Sequence, residues 1–246
     1  SFFLSPENTL RFIIFFSSFT VSFLLLKNNI KYFWILLIIL IFPSVIKNFI
    51  VHIRQGLAIS LFLIGWFSSI QSKRYLFFLM SPFVHSSFFI VVSIYLITVI
   101  LKKIRFAFDI KLIVYLTIGL TVSFGLGFIA SSLDMRQANV YQFNAPITSG
   151  LGFLFWFLIL LIYLSNSKEF LRKHSFVIGM MIFYLITYFF IEVSARVFES
   201  VIILVLFASL ELKNKHKVLV IFLLIMMIVY KFLANIGSLY MGYSVI

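Results

Sequence analysis

HIRQGLAISLFLIGWFSSIQSKRYLFFLMSPFVHSS, residues 52–87, sets Arg54 at the lip of one very apolar stretch and His85 inside the next. Charged and titratable groups at membrane depth are costly, so they mark candidate sites. The chain around them is largely apolar. Of its 246 residues 63% are hydrophobic and only 11% are charged, where a soluble domain has about 45–50% apolar and about 25% charged residues. The expected class is therefore all-α, a polytopic transmembrane helical bundle. Helices are the default because lipid cannot satisfy an open sheet edge, and the alternating ten-residue pattern of a membrane barrel is missing. The 34 phenylalanines are spread along the chain, as bulky packing and lipid-facing groups.

The net charge of +13 does not read as a nucleic-acid surface. Lys and Arg sit singly or in short clusters between apolar runs, where the positive-inside rule puts them, and no continuous basic face forms. There is no cysteine, hence no disulfide, thiol nucleophile or thiolate metal site. No P-loop motif, no HExxH and no Asp-x-Asp pair occurs, and the histidines at 52, 85, 174 and 216 lack metal-ligand spacing. No cofactor is expected, and a metal-free site built on arginine remains.

A membrane helix needs about 20 mostly apolar residues. About nine apolar segments meet or approach that: 10–26, 32–51, 56–70, 76–101, 112–130, 151–164, 176–191, 197–210 and 218–234. They form a single integral membrane domain over 1–246. Strict alternation through nine spans puts loops 47–54, 102–111, 168–174 and 211–217 inside with a net +9, and leaves +3 outside. If instead 76–101 is broken near Pro82–His85 and re-enters, the inner loops carry +11 and the outer ones +1. Loops 47–54 and 192–199 then share the outer face, and 27–31 joins the inner set. Proline removes a backbone donor, which gives the break a cause. Gly119, Ser123 and Gly127 recur every fourth residue, a close-packing stripe.

Arg54 and Gln55 open an apolar helix. A guanidinium binds phosphate through a fork, and a helix N-terminus adds free N–H groups. A snorkelling interfacial arginine is the alternative. His85 can take a proton near neutral pH, or can cap a carbonyl freed at the kink. Glu192, Arg196 and Glu199 share a helix face. They read as an ion-pair ladder, or as a second phosphate ligand oriented by a glutamate. Asp134 and Arg136 give a weaker signal. The loop 131–150, SSLDMRQANVYQFNAPITSG, is long and rich in amides. Tyr141, Gln142 and Asn144 there suit a sugar, which needs paired hydrogen bonds and a flat apolar face. A solvated connector is the alternative.

Arg54-Gln55-x-x-Ala58, an apolar helix, a basic turn and then Phe83-Val84-His85-Ser86-Ser87 resembles the EpsG-like branch of the bacterial O-antigen and polysaccharide polymerases (Wzy). Ser194-Ala195-Arg196 and the tyrosines of 240–243 look similar to later family features. Val84 before the histidine and Ser87-Phe88 after it depart from the family pattern, and the family's early Asp-before-Tyr loop has no match here. The chain starts with Ser rather than Met, and the expectation is the C-terminal part of a longer polymerase.

The resemblance implies a metal-independent membrane glycosyltransferase. It would join oligosaccharide repeat units carried on undecaprenyl diphosphate into O-antigen, capsular polysaccharide or exopolysaccharide at the outer face of the bacterial cytoplasmic membrane. Arg54, Gln55 and Arg196 would hold the leaving diphosphate. His85 or a nearby carboxylate, Glu192, would take the acceptor proton. Tyr141, Gln142 and Asn144 would meet sugar. The expected partners are the lipid-linked oligosaccharide, the bilayer and a chain-length regulator. A lipid-linked sugar flippase or other polytopic transporter is the rival reading, although no repeat between halves is visible.

Overall fold

A computed structural model describes residues 5–132, 150–191 and 194–236, with backbone alone over 126–132. Among the described residues the regular secondary structure is entirely helical: α1 Pro6–Asn29, α2 Phe33–Leu40, α3 Pro43–Ile50, α4 Ile53–Phe67, α5 Gln71–Val84, α6 Ser87–Lys103 and α7 Phe108–Ser132. Then come α8 Leu151–Leu164, α9 Lys168–Lys173, α10 Ser175–Thr187, α11 Ser194–Glu199, α12 Ile202–Ala208 and α13 Asn214–Ala234. The all-α expectation holds.

The expectation of nine spans does not. Among the described residues three helical runs are long and apolar enough to cross a membrane: Pro6–Leu40, Phe108–Gly125 and Asn214–Ala234. A fourth is reached only if the pair Pro43–Ile50 and Ile53–Phe67, bent by 108°, counts as one crossing. The reason is that hydropathy registers side chains and not backbone breaks. Run 32–51 is cut by Pro43, which sits at the first position of α3 and forces Phe42 into an extended conformation (ψ 130°). Run 76–101 is cut at His85, and run 197–210 between Glu199 and Ile202. What survives is short. The 15 residues of α4 reach about 22 Å, against a hydrocarbon core of about 30 Å.

Burial separates the two kinds of apolar helix. Twelve of the 13 residues of α10 are buried, and all of α12 except Phe207. A helix apolar all round and covered by protein is a core helix. By contrast α13 buries only Val220 and Leu224 of its 21 residues. Helix α1 buries Ser17, Val21 and Leu25. Its Phe15, Phe19 and Phe23 lie exposed, stacked ring on ring at 5.7 and 6.1 Å. Outward-facing phenylalanine at that density suits lipid rather than water.

The chain divides into two compact units. The first is built from the described residues up to Val92, with Glu199–Leu210 and those from Lys217 onward; the second from Ser93–Phe198 and Glu211–His216. In the first, Ser5 caps α1 by accepting from the Asn8 N–H (3.3 Å) and Pro6 opens it. Leu40 at the end of α2 lines one hollow with Ser18 and Ser22 of α1. Helices α3 and α4 cross so closely that a β-carbon on Gly56 would lie 2.5 Å from the Asn48 carbonyl oxygen. Proline 82 does not end α5. The helix runs through it to Val84, and the Phe78 carbonyl, which Pro82 cannot satisfy, accepts from the Ser81 hydroxyl (2.9 Å).

In the second unit α7 packs on α10 through small residues. A β-carbon on Gly119 would meet Ile186 at 3.1 Å, and one on Gly179 would meet the Tyr115 ring at 2.8 Å. The packing role expected for Gly119 holds. The Tyr115 hydroxyl bonds Thr98 Oγ1 at 2.8 Å. The polar residues of three connections also gather here. Lys102 Nζ donates to the Lys173 carbonyl (3.4 Å), Asn166 Nδ2 contacts His216 Nδ1 (2.9 Å), and Lys173 and His174 both reach Glu211.

Candidate functional site

The polar cluster of the first unit lies where three helix breaks converge: α3 into α4, α5 into α6, and α11 into α12. A break frees backbone N–H and C=O groups, and among apolar neighbours these must find partners. Small polar side chains at the breaks supply them.

At the first break the amide of Asn48 donates to the Glu199 carbonyl (3.0 Å), and Lys47 Nζ lies 3.6 Å from Glu199 Oε1. Asn48 is fully buried, and its Oδ1 has no hydrogen-bond partner among the described residues. At the second break His85 leaves the helix in an extended conformation (φ −147°, ψ 121°). Its N–H donates to the Ser81 carbonyl (3.1 Å), and its carbonyl accepts from Phe88 N–H (3.1 Å). Its Nδ1 lies 2.6 Å from Ser87 Oγ and also accepts from the Ser87 N–H at 3.4 Å. Ser87 Oγ in turn lies 2.8 Å from Ser200 Oγ, at the third break. Gln55 Nε2 donates to the same Ser200 Oγ (3.1 Å). One line of hydrogen bonds thus runs Gln55, Ser200, Ser87, His85, and the first three are buried. Among these residues His85 is the half-buried one.

Arg54 precedes Gln55 in the first turn of α4 and is exposed. A cation there is repelled by the positive end of the helix dipole, so Arg54 gains nothing from its own helix. The first-turn N–H groups of α4 and the guanidinium favour the same thing, an anion. Arg196 is exposed on α11, in the second unit. On the far face of α3 a hollow of about 180 Å³ is lined by Val45, Ile46, Phe49, Ile50, Leu40 and the hydroxyl-bearing Ser18 and Ser22.

Of the residues singled out in the sequence, Gln55 and His85 are brought together through two hydroxyls. Glu192, Asp134, Arg136, Tyr141, Gln142, Asn144 and the tyrosines of 240–243 lie outside the described residues. Sequence reasoning missed Asn48 and Ser200 and gave Ser87 no role. Each stands inside an apolar run, and extending the cost of buried polarity from ionisable groups to amides and hydroxyls would have flagged them.

Outside this cluster, the connection polar groups of the second unit form a titrating pair. Lys173 Nζ is 2.6 Å from Glu211 Oε2, and His174 Nε2 is 3.1 Å from the same oxygen. Burial holds the His174 imidazole below its usual value, against the pull of Glu211. Burial pushes the Glu211 carboxyl up, but Lys173 and His174 outweigh it and the group sits below the usual carboxylate range.

No protein-family model matches the chain, and neither a curated protein nor a solved structure matches it.

Proposed function

We propose that the chain is a membrane glycosyltransferase that polymerises undecaprenyl-diphosphate-linked repeat units at the outer face of the bacterial cytoplasmic membrane. The observation that carries this reading is the hydrogen-bonded line from Gln55 through Ser200 and Ser87 to His85. It links the two segments on which the family resemblance rests, the Arg54-Gln55 turn that opens α4 and the break at His85–Ser87. In this reading Arg54, with the first-turn N–H groups of α4, receives the diphosphate whose charge grows as the sugar departs. The exposed apolar faces of α1 and α13 meet lipid, and the hollow beside α3 accepts part of a polyprenyl chain.

Two contacts weigh against strict alternation through nine crossings. Loops 47–54 and 192–199 fall on opposite faces under alternation, about 30 Å apart, yet Lys47 and Asn48 both bond Glu199. Lys217 likewise lies 4.6 Å above the Tyr32 ring, beside loop 27–31. Both contacts join loops that such alternation would hold apart.

The test is to reconstitute the protein in liposomes with lipid-linked repeat units extracted from its source cells. Elongated product is expected from the wild type. Arg54→Ala is expected to abolish long chains and leave single repeat units, and His85→Ala to shorten them. Wild-type chain lengths in both variants refute the assignment. Movement of the lipid-linked unit across the bilayer without elongation makes the protein a transporter instead. Arg196→Ala is assayed on its own, with loss of long chains expected.

A further inference from the structure

We infer that Ser87, Ser200 and Gln55 are positioning residues that lock His85 in the neutral tautomer carrying its hydrogen on Nε2, so that His85 acts as a hydrogen-bond donor and not as a base. The inference rests on the polymerase reading for its substrate, but not for its geometry.

The direction of each hydrogen bond follows from one fixed donor. A backbone N–H cannot be reversed, and the Ser87 N–H points at His85 Nδ1 (3.4 Å). At that length the bond is weak, so it favours Nδ1 as an acceptor, and the shorter contact to the Ser87 hydroxyl is what holds it there. The Ser87 hydroxyl, 2.6 Å from the same nitrogen, then donates to it. Having spent its hydrogen, Ser87 Oγ accepts at its other contact, so Ser200 Oγ is the donor across the 2.8 Å between them. Ser200 can accept in turn, and Gln55 Nε2 donates to it at 3.1 Å. Every hydrogen in the line runs the same way, from the amide toward the imidazole. A neutral imidazole with Nδ1 as acceptor carries its hydrogen on Nε2.

Chemically, this changes what His85 can do. The nitrogen that could abstract a proton is occupied by two donors from its own chain. The other nitrogen presents N–H, which suits an oxygen gaining negative charge: a phosphoryl oxygen of the departing diphosphate, or a sugar hydroxyl oxygen. Taking the acceptor proton then falls to a group other than His85. Gln55 and Ser200 act on the substrate only through His85, since both are buried. The one half-buried member of the line is the histidine.

The experiment reads the tautomer directly. Protein labelled with 15N-histidine is reconstituted in nanodiscs at a pH where free imidazole is neutral, and the His85 signals are identified by their loss in His85→Gln. The expected result is an unprotonated Nδ1 and a protonated Nε2 in the wild type. Ser87→Ala and Ser200→Ala are expected to move those signals toward a mixture of tautomers, and Ser200→Thr, which keeps the hydroxyl, to restore them. Each alanine variant should lower kcat by about 2- to 10-fold with KM unchanged, the loss of one neutral hydrogen bond. A wild-type His85 protonated on Nδ1 overturns the inference, and needs no variant to fold. So do His85 signals unmoved in a folded Ser87→Ala. Normal polymer from His85→Ala would instead sink the polymerase site while leaving the tautomer as measured.

Discussion

Replacing Gly56 by alanine tests whether the α3–α4 crossing is as tight as the structure has it. A β-carbon there would stand 2.5 Å from the Asn48 carbonyl oxygen and 3.0 Å from the Phe49 ring. The phenylalanine can swing aside, but the carbonyl belongs to the backbone of α3 and cannot. Ordinary contact needs about 3.4 Å or more, so α3 must retreat by nearly an ångström. That motion would pull Asn48 and Lys47 from Glu199. Overpacking of this kind costs about 1–3 kcal/mol. Gly125 provides the matched control, because a β-carbon there meets nothing within 4 Å. In an open helical position the same substitution stabilises by about 0.4–1 kcal/mol. The two variants should therefore differ by about 1.5–4 kcal/mol, or about ten- to a thousandfold in the folded-to-unfolded ratio. Denaturant titration of each purified variant in one detergent, against the wild type, reads the difference. If Gly56→Ala is as stable as Gly125→Ala, the helices do not cross at that distance, and the placing of Asn48 against Glu199 falls with it.

Acid should weaken the second unit through His174 and Glu211. Since burial holds His174 low in the folded state, the unfolded chain takes up the proton first as pH falls through the free imidazole value, and stability drops by no more than about 1.4 kcal/mol per pH unit for that one proton. Glu211 adds its loss only further down, as pH falls below the ordinary carboxylate range and through its own depressed value. Unfolding of His174→Gln measured between pH 8 and 5 should show a flatter slope than the wild type, and an unchanged slope refutes the assignment. Sidedness can be read by single cysteines, because the chain has none of its own. Exposed Ala195, changed to Cys, should react with an impermeant thiol reagent in intact cells. Cysteines at the exposed Lys103 and Lys213 should react only after permeabilisation. Reaction of position 103 from outside refutes the re-entrant turn.

The helical class was legible because lipid leaves so apolar a chain only helices or a closed barrel, and the barrel's alternation is missing. The number of crossings was not, because hydropathy is a property of side chains and a crossing is a property of unbroken backbone. The sequence places a break near Pro82–His85 and the chain does leave the helix at His85, but proline is not its direct cause, since Ser81 satisfies the carbonyl that Pro82 leaves. At 32–51 the signal is in plain view: Pro43 stands inside the run and ends it. Arg54, Gln55 and His85 draw notice as rare polar groups in an apolar stretch. The link between Gln55 and His85 could not be seen, since it runs through Ser200, 145 positions from Gln55 and 113 from Ser87. Two serines carry no periodicity and no charge, so nothing in the sequence pairs them.

That separation bears on how the protein is made. Ribosomes deliver Gln55, His85 and Ser87 to the insertion machinery long before Ser200 exists. Until then the first two breaks hold polar groups whose eventual partner is still unsynthesised. Gln55 and Ser87 must bond water or another partner until residue 200 arrives and completes the line.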